Sequence, residues 1–357
     1  MRLRVGRGVL SWGLVALLWG ACAEPVPGGM RGAEDEPPSR TPEALRRPGD
    51  QTYLTYPEWF LVFSPEAYAD WVAARPPTDF PFLAHVRDVW AGYAAITRAI
   101  PREEAVSWGY HAMIVTIAAS TTVEYAVRAA YEGTVGRLSA SLAGDPYDDG
   151  QLSREDRFGA YTARAYERFL RQRAWYEFDY EGALRRLWLE VPFTWSRPLR
   201  ALERRYALTS EYVFKLGYAQ LLRAASHATF EEASFDARTS AVVHGLGPGV
   251  EIDGVVVEER FEDGAVLVTL PRYEAFMPAA RALARAGVRF EEICGQRGRI
   301  LLSVRAPRGW QTAGRIVRRE PLDEARERVL FDVPIATLAG TLTSLGTGIV
   351  LEHVYDF

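Results

Sequence analysis

The acid–base chemistry open to this chain centres on His111. An imidazole titrates near neutral pH, and a neighbouring carboxylate can hold or exchange its proton. The carboxylates within reach in the sequence are Glu103, Glu104 and Glu124. Glu124 shares the long apolar run of His111, so His111 and Glu124 are the catalytic candidates. A lone histidine in an apolar helix more often satisfies a hydrogen bond of the core, and the sequence leaves both interpretations open.

The histidines give no metal-binding pattern. They are His85, His111, His227, His244 and His353, and none lies within four residues of another. Zinc sites that can be recognised in a sequence usually place two ligands within a few residues. We therefore predict no metal from histidine and no cofactor of any kind.

The stretch "DPYDDGQLSRED", which begins at Asp145, resembles a calcium loop of the EF-hand type. Asp145, Asp149 and Asp156 fall on positions 1, 5 and 12 of that pattern. Tyr147 stands where a third side-chain oxygen is required, and position 12 carries Asp instead of the longer Glu. The alternative is an acidic turn followed by Ser153 as a helix N-cap. These aspartates are the metal-ligand candidates, and the acidic turn is the favoured interpretation.

An aromatic cluster supplies the candidates for ligand binding. Its members are Tyr53, Tyr56, Trp59, Phe60, Phe63, Tyr68 and Trp71. Such side chains can line a groove for a sugar, a lipid or a peptide, or they can form a helical core with Tyr and Trp at its edge. The core is the favoured interpretation. If there is a groove, Tyr56 and Trp59 are the binding candidates, in a turn predicted around Pro57.

Residues 1–22 have the pattern of an export signal. The basic stretch "MRLRVGR" is followed by the apolar stretch "GVLSWGLVALLWGA", which ends in small residues. Gly20 and Ala21 precede Cys22 as in a lipoprotein signal, whereas Trp19 departs from that pattern. Lipidation of Cys22, cleavage without a lipid and an uncleaved anchor all stay open. The expected location is the cell envelope, either membrane-anchored or in the periplasm.

Two segments follow the signal. Residues 23–50 are rich in Pro, Gly and charge, which predicts a disordered tether. Residues 51–235 show apolar positions at helical spacing and predict a mainly helical domain. Within that domain, the uncharged run 105–123 predicts a buried core helix, with a membrane span as the alternative.

A later helix of this domain has a regular apolar face. Trp195, Leu199, Leu202 and Tyr206 follow the i, i+4, i+7, i+11 spacing.

Residues 236–357 predict an α+β domain with an internal repeat. "VLVTLP" and "VRFEEI" flank one helix-length segment, and "VLFDVP" and "IVLEHV" flank another. In both units a strand ends in Pro, and the helix ends at a glycine, Gly287 or Gly348, suited to a left-handed cap. Two such βαβ-type units predict a ferredoxin-like sheet. Further strands predicted near 299–306 and 314–320 fit that sheet less well.

The composition and motifs limit the function. A net charge of -4 gives no basis for nucleic-acid binding. No nucleophile or phosphate-binding motif is present, so an enzyme is the less favoured class. We predict an exported, membrane-tethered envelope protein that binds a protein partner or a small ligand without catalysis. The alternatives are an exported hydrolase with a site between its two domains, and an integral membrane protein that spans through 105–123.

Overall fold

The helices come first in the described chain and the strands second. The computed structural model describes residues 38–102, 104, 106–143, 152–171, 173, 175–229 and 238–357. The fold is α+β, with a helical part up to Thr229 and two antiparallel sheets from Arg238 onwards. The predicted domain boundary at 235/236 lies outside the described residues, as do the export signal, Cys22 and residues 23–37.

The helical part contains two long helices, α3 and α7, and several shorter ones. The helices are α1 (Gln51–Val72), α2 (Phe82–Ala99), α3 (Trp108–Tyr131), α4 (Arg137–Ala143), α5 (Arg154–Leu170), α6 (Tyr180–Leu189) and α7 (Pro198–Thr229). A π-helical segment, Glu132–Gly136, joins α3 to α4 without a break. Within the described residues, no helix is both long enough and apolar enough to cross a membrane.

The first helix corrects one prediction. Pro57 lies inside α1, where we predicted a turn, and Pro65 lies inside the same helix. Each proline removes one backbone donor from the helix. The helix continues because the aromatic side chains on one side of it are buried against a sheet, among them Tyr53 and Tyr56. Tertiary burial therefore outweighs the local signal of the prolines.

The two sheets have the same strand order. The first half comprises β1 (Arg238–His244), β2 (Val256–Arg260), β3 (Ala265–Pro271), α8 (Phe276–Arg285) and β4 (Arg289–Ile293). The second comprises β5 (Arg299–Pro307), β6 (Arg315–Pro321), β7 (Arg326–Pro334), α9 (Leu338–Ser344) and β8 (Val350–Tyr355). The orders are β2-β3-β1-β4 and β6-β7-β5-β8, and all neighbours pair antiparallel.

This arrangement differs from the predicted ferredoxin-like sheet, which is not confirmed. The prediction placed both units in one sheet, whereas β3 and β4 lie in the first sheet and β7 and β8 lie in the second. The strands that fitted the prediction poorly are β5 and β6, which occupy the same places in the second sheet as β1 and β2 in the first. Gly287 follows the end of α8 and has positive φ, as predicted for a left-handed cap, whereas α9 ends at Ser344, so Gly348 has positive φ in the turn before β8 and does not cap that helix.

The second sheet is buried on both faces. Leu302, Val304 and Phe331 face a core that also includes α8, α9 and the first sheet. The alternate residues Leu301 and Leu330 pack against the aromatic side of α1. The helical part and the sheets therefore share one continuous interface, as expected for strands that are apolar on both faces.

Residues 38–50 are packed against the first sheet, so the predicted tether is wrong for this stretch. Ser39 and Thr41 donate from their hydroxyls to the buried carboxylate of Glu292, at 2.7 and 3.1 Å. Burial alone would raise the pKa of Glu292, but these hydrogen bonds and the nearby Arg297 hold it below its ordinary value. Arg47 donates its backbone N–H to the carbonyl of Cys294 at 3.0 Å. The stretch is ordered because it supplies the donors that a buried carboxylate requires.

Candidate functional site

The two catalytic candidates lie far apart on the same helix. His111 is in the first turn of α3, and Glu124 is thirteen residues further on, roughly 20 Å along the axis. The Nδ1 atom of His111 is 2.9 Å from the Tyr93 hydroxyl, and its Nε2 is 3.7 Å from a carboxylate oxygen of buried Asp50. Asp50 in turn accepts from the backbone N–H and the hydroxyl of Ser107. His111 therefore belongs to a network that ties the start of α3 to the start of α1.

The two ligand-binding candidates belong to the core. Tyr56 and Trp59 are 2% and 5% exposed. The Tyr56 hydroxyl donates to Glu320 at 2.5 Å, and the Trp59 ring lies 3.9 Å from the ring of His353, centroid to centroid. Burial of that imidazole lowers the pKa of His353 to about 3, so its ring is neutral against the indole. The structure places both candidates between α1 and the second sheet, and neither lines an open groove.

The calcium candidates divide between described and undescribed residues. Asp145 and Asp149 lie outside the described residues. Asp156 lies in the first turn of α5, where Ser153 caps the helix by accepting its backbone N–H at 2.9 Å. The Asp156 carboxylate is 3.4 Å from the guanidinium of Arg200. Among the residues that the structure does describe, no group of three or more His, Cys, Asp or Glu could hold a metal ion.

A seam of buried ion pairs joins α3 to α7. The charged residues Glu124, Arg128 and Glu132 recur every four residues on α3 and share one helix face. The pairs that they form across the seam are Glu124–Lys215 at 3.3 Å, Arg128–Glu211 at 3.4 Å and Glu132–Arg204 at 2.9 Å. As the α3 numbers rise the α7 numbers fall, so the two helices run antiparallel.

The electrostatics of the seam favour the ionised forms of Glu211 and Lys215. Burial opposes the charge of Glu211, yet Arg128 and Lys215 lower the pKa of this carboxyl to about 2. Lys215 is the only lysine in the chain. Its pKa is raised well above the ordinary value, because Glu124 and Glu211 outweigh the effect of burial. Glu211 and Lys215 are thus held ionised by their partners across the seam.

The seam continues into an arginine network at the start of α7. Arg200 is fully buried and donates to the carbonyl of Gly136, the hydroxyl of Ser139 and the carboxylate of Glu203, at 3.0 to 3.2 Å. Arg204 also bonds Glu203, and the pKa of Glu203 lies below its ordinary value although burial opposes this. All these contacts face the interior of the helical part.

The π-helical segment makes room for this network. A Cβ at position 136 would lie 2.6 Å from a carboxylate oxygen of Glu132 and 3.4 Å from the guanidinium of Arg204. A side chain at position 136 would therefore displace the Glu132 carboxylate that pairs with Arg204. The extra residue of a π turn exposes a backbone carbonyl, and here Arg200 occupies the carbonyl of Gly136.

The outer sides of the same helices carry no exposed charge. From Trp108 to Gly136, and on α7 from Pro198 to Gln220, every charged side chain is buried or half-buried. The exposed residues are instead apolar, small or hydroxyl-bearing. We define the charge-free face as Val123, Val127, Val135, Leu138 and Leu142 together with Leu199, Leu202, Tyr206 and Val213. Its two stripes meet where the rings of Tyr131 and Tyr206 lie 6.2 Å apart.

The orientation of α7 reverses the ordinary expectation for its apolar face. Leu199, Leu202 and Tyr206 are 58 to 64% exposed, and Trp195 is 81% exposed. A surface helix usually turns such a stripe towards the core and its charges towards water. The missed signal was the equally regular spacing of the charged residues Arg200, Glu203, Arg204, Glu211 and Lys215 on the opposite side.

A pair of perturbed carboxyl groups lies where the helical part meets the sheets. Burial raises the pKa of Asp356 to about 7, against the opposing effect of Arg272, whose Nε is 3.4 Å from the carboxylate. Burial also raises the pKa of Glu58, which accepts from the Tyr110 hydroxyl at 2.5 Å. Nothing in the sequence pattern pointed to these residues, since tertiary contacts alone bring them together. Asp356 is only 1% exposed, so it is enclosed by the interface.

The comparisons with known proteins identify no relative. No protein-family model, no curated protein and no solved structure matches the chain. The function is therefore inferred from the geometry of the chain itself.

Proposed function

We propose that this chain is an exported, membrane-tethered protein of the cell envelope that binds through the charge-free face of its helical part, without catalysis. The observation that carries the proposal is that α3 and the described side chains of α7 turn their charges inward, while α3, α4 and α7 turn aliphatic side chains outward. Soluble monomers rarely leave a contiguous apolar surface larger than a few hundred Å² uncovered. Such a surface marks a site that another apolar surface covers.

The energetics support a binding role. Burying paired charges costs desolvation free energy that their attraction offsets only in good geometry. Exposing leucine and valine at the same time forgoes about 1.5–3 kcal/mol for each side chain that could have been buried. The same pair of helices carries both costs. Covering the outer side would remove the second cost, because the exposed leucine and valine side chains would then be buried.

The proposal also covers the location of the protein and the role of its two sheets. The basic and apolar pattern of residues 1–22 supports export, and Cys22 supports a lipid tether. We also propose that the sheets are a duplicated split βαβ unit, a reading that their identical strand orders support. In this proposal the sheets are a rigid platform, which holds the helical part through α1.

The separation of His111 from Glu124 supports binding over catalysis. The hydrolase alternative would have to use Glu58 and Asp356, the carboxyl groups whose pKa values are raised at the interface of the two parts. The Asp356 carboxylate is enclosed and accepts from Arg272, which also donates to the Phe357 carbonyl. A substrate would have to separate α1 from the sheets to reach it.

A charged side chain on the face is expected to disrupt binding. We expect Leu202→Glu to lower the fraction of the Cys22→Ala chain that sediments with cell envelopes by at least tenfold, because a carboxylate cannot enter an apolar contact without a partner. The matched control is Val350→Glu, since Val350 is 60% exposed on β8 and Leu202 is 58% exposed. Equal sedimentation of the two variants would argue that the face is not the binding surface.

The lipid tether has its own test. We expect an alkyne-bearing fatty acid fed to the producing cells to label the full chain and to leave the Cys22→Ala variant unlabelled. Cys294 serves as the internal control, because it is buried and burial raises the pKa of its thiol, which disfavours acylation. Unchanged labelling of the variant would contradict the tether and leave the charge-free face to be judged separately.

A further inference from the structure

We propose that the charge-free face lies on the lipid bilayer itself, with its aliphatic side chains among the acyl chains. This inference rests on the proposed function, because it names the partner of the same surface. Val123 to Leu142 spans roughly 28 Å along the helices. The face would lie in the plane of the membrane, as interfacial helices do, without crossing it.

The exposed hydroxyl groups beside the face are satisfied within their own helices. The exposed serines and threonines on the outer sides of α3, α4 and α7 donate to carbonyls of their own helices. These hydrogen bonds are Thr116 to Ala112, Ser120 to Ile117, Thr134 to Ala130, Ser141 to Leu138 and Ser210 to Tyr206, at 2.7 to 2.9 Å. A hydroxyl satisfied in this way needs no partner outside the helix. That is the requirement in hydrocarbon, where water supplies no hydrogen bonds.

The composition of the face favours lipid over a protein partner. Protein interfaces are enriched in Arg and aromatic anchors at their centre and carry direct hydrogen bonds. This face is mainly Val and Leu, and its charged neighbours are paired on the inner side in the seam. Charges that face the interior of a helix bundle and pair there are typical of helices in contact with lipid.

Two exposed tryptophans lie at the ends of the helix pair that carries the face. Trp108 begins α3 and is 78% exposed, and Trp195 precedes α7 and is 81% exposed. Since α3 and α7 run antiparallel, these two residues mark opposite ends of the helix pair. Tryptophan prefers the boundary between the acyl chains and the headgroups. Arg137 (63% side-chain exposure) is the first exposed charge after Trp108 and can reach the headgroups from the edge.

The chain outside the described residues sets a distance limit. Fifteen residues, 23–37, separate Cys22 from the first described residue, Pro38. A fully extended chain of that length spans at most about 54 Å. A lipid on Cys22 would therefore keep the helical part close enough to the bilayer for the face to reach it, and one acyl signal combined with an apolar face gives firmer attachment than either alone.

Site-directed spin labelling tests this inference. Leu202→Cys and Val127→Cys, each in the full chain with Cys22→Ala, would carry a nitroxide, with Val350→Cys and Glu258→Cys as controls on the sheets. The labelled chains are mixed with vesicles of phosphatidylcholine and phosphatidylglycerol. Relaxation by oxygen, which concentrates in lipid, is compared with relaxation by a water-soluble nickel chelate.

We expect oxygen to relax the face labels several-fold more than nickel does, and nickel to relax the control labels more than oxygen. Face labels that nickel relaxes as strongly as the controls would overturn the inference. A third result is that the face labels are protected from both reagents and show broadened nitroxide spectra that sharpen when unlabelled chain is added. That result would identify a second copy as the partner. That outcome also overturns the bilayer contact and leaves the face as a binding surface, which the Leu202→Glu sedimentation assay decides independently.

Discussion

Replacing Arg204 by Met is expected to destabilise the protein by about 3–5 kcal/mol. Arg204 is 4% exposed and bonds both carboxylate oxygens of Glu132, at 3.0 and 2.9 Å, as well as Glu203. Met fills a similar volume, so the main loss is the positive charge. Removal of one member of a buried pair leaves the other charge desolvated and uncompensated, which costs more than the pair contributed.

Urea denaturation followed by circular dichroism measures this effect. The control is Arg137→Met, since the Arg137–Asp79 pair is exposed on both sides and should contribute at most about 1 kcal/mol. The double variant Glu132→Gln/Arg204→Met should recover part of the loss, because one of the two stranded carboxylates is then neutral. If Arg204→Met costs no more than Arg137→Met, the arginine network is not buried as described.

Asp356→Asn is expected to flatten the dependence of stability on pH. Unfolded Asp356 releases its proton near pH 3.8, whereas burial keeps it protonated up to about 7 in the folded state. Between these values the folded state binds more protons, so the free energy of unfolding falls as pH rises. The difference between the two pKa values corresponds to a destabilisation of roughly 4 kcal/mol. This destabilisation is absent below the pKa of the unfolded state and complete above the pKa of the folded state.

The measurement is the free energy of unfolding at intervals from about pH 4.5 to pH 8, for the native chain and the Asn variant. Asn keeps the shape of the side chain and can still accept from Arg272. The free energy of unfolding of the Asn variant should rise relative to that of the native chain as pH rises. Asp263→Asn, which removes an exposed carboxylate, serves as the control for general charge effects. A difference between Asp356→Asn and the native chain that does not change with pH would contradict the buried, proton-retaining carboxyl.

The strands and their ends were predictable because the code for them is local. β-branched runs, Pro at strand ends and the glycine that ends α8 specify β3, β4, β7 and β8 without reference to the rest of the chain. The order of the strands in the sheets was not predictable in this way. It depends on pairing between β1 and β4, which lie on opposite sides of a helix in the sequence.

The errors share a physical cause. Pro57 and Pro65 signal a break, and only the packing of α1 on the second sheet explains why the helix continues. Residues 38–50 have the composition of a tether, and only Glu292 explains why they are ordered. In each case the stabilising partner lies hundreds of residues away, where composition and periodicity carry no information.

The candidate surface shows the limit of periodicity itself. The spacing of Leu199, Leu202 and Tyr206 correctly indicates a shared helix face, but it does not tell which side of the helix meets the core. The charged residues on the other side of α7 had the same spacing, so the sequence was equally compatible with the charged side facing the core. The His111–Glu124 combination failed for a related reason, since residues thirteen positions apart on one helix cannot converge.

The junction between α1 and the second sheet has a consequence for how the chain is made. The Thr52 hydroxyl accepts the backbone N–H of Leu301 at 3.1 Å and donates to the carbonyl of Tyr355 at 2.5 Å, a contact across 303 positions. While the ribosome is still adding the last strand, α1 has no sheet to cover its aromatic side. Contacts of such long range close slowly. The chain should therefore stay incompletely folded until β8 has been synthesised and can pair with β5.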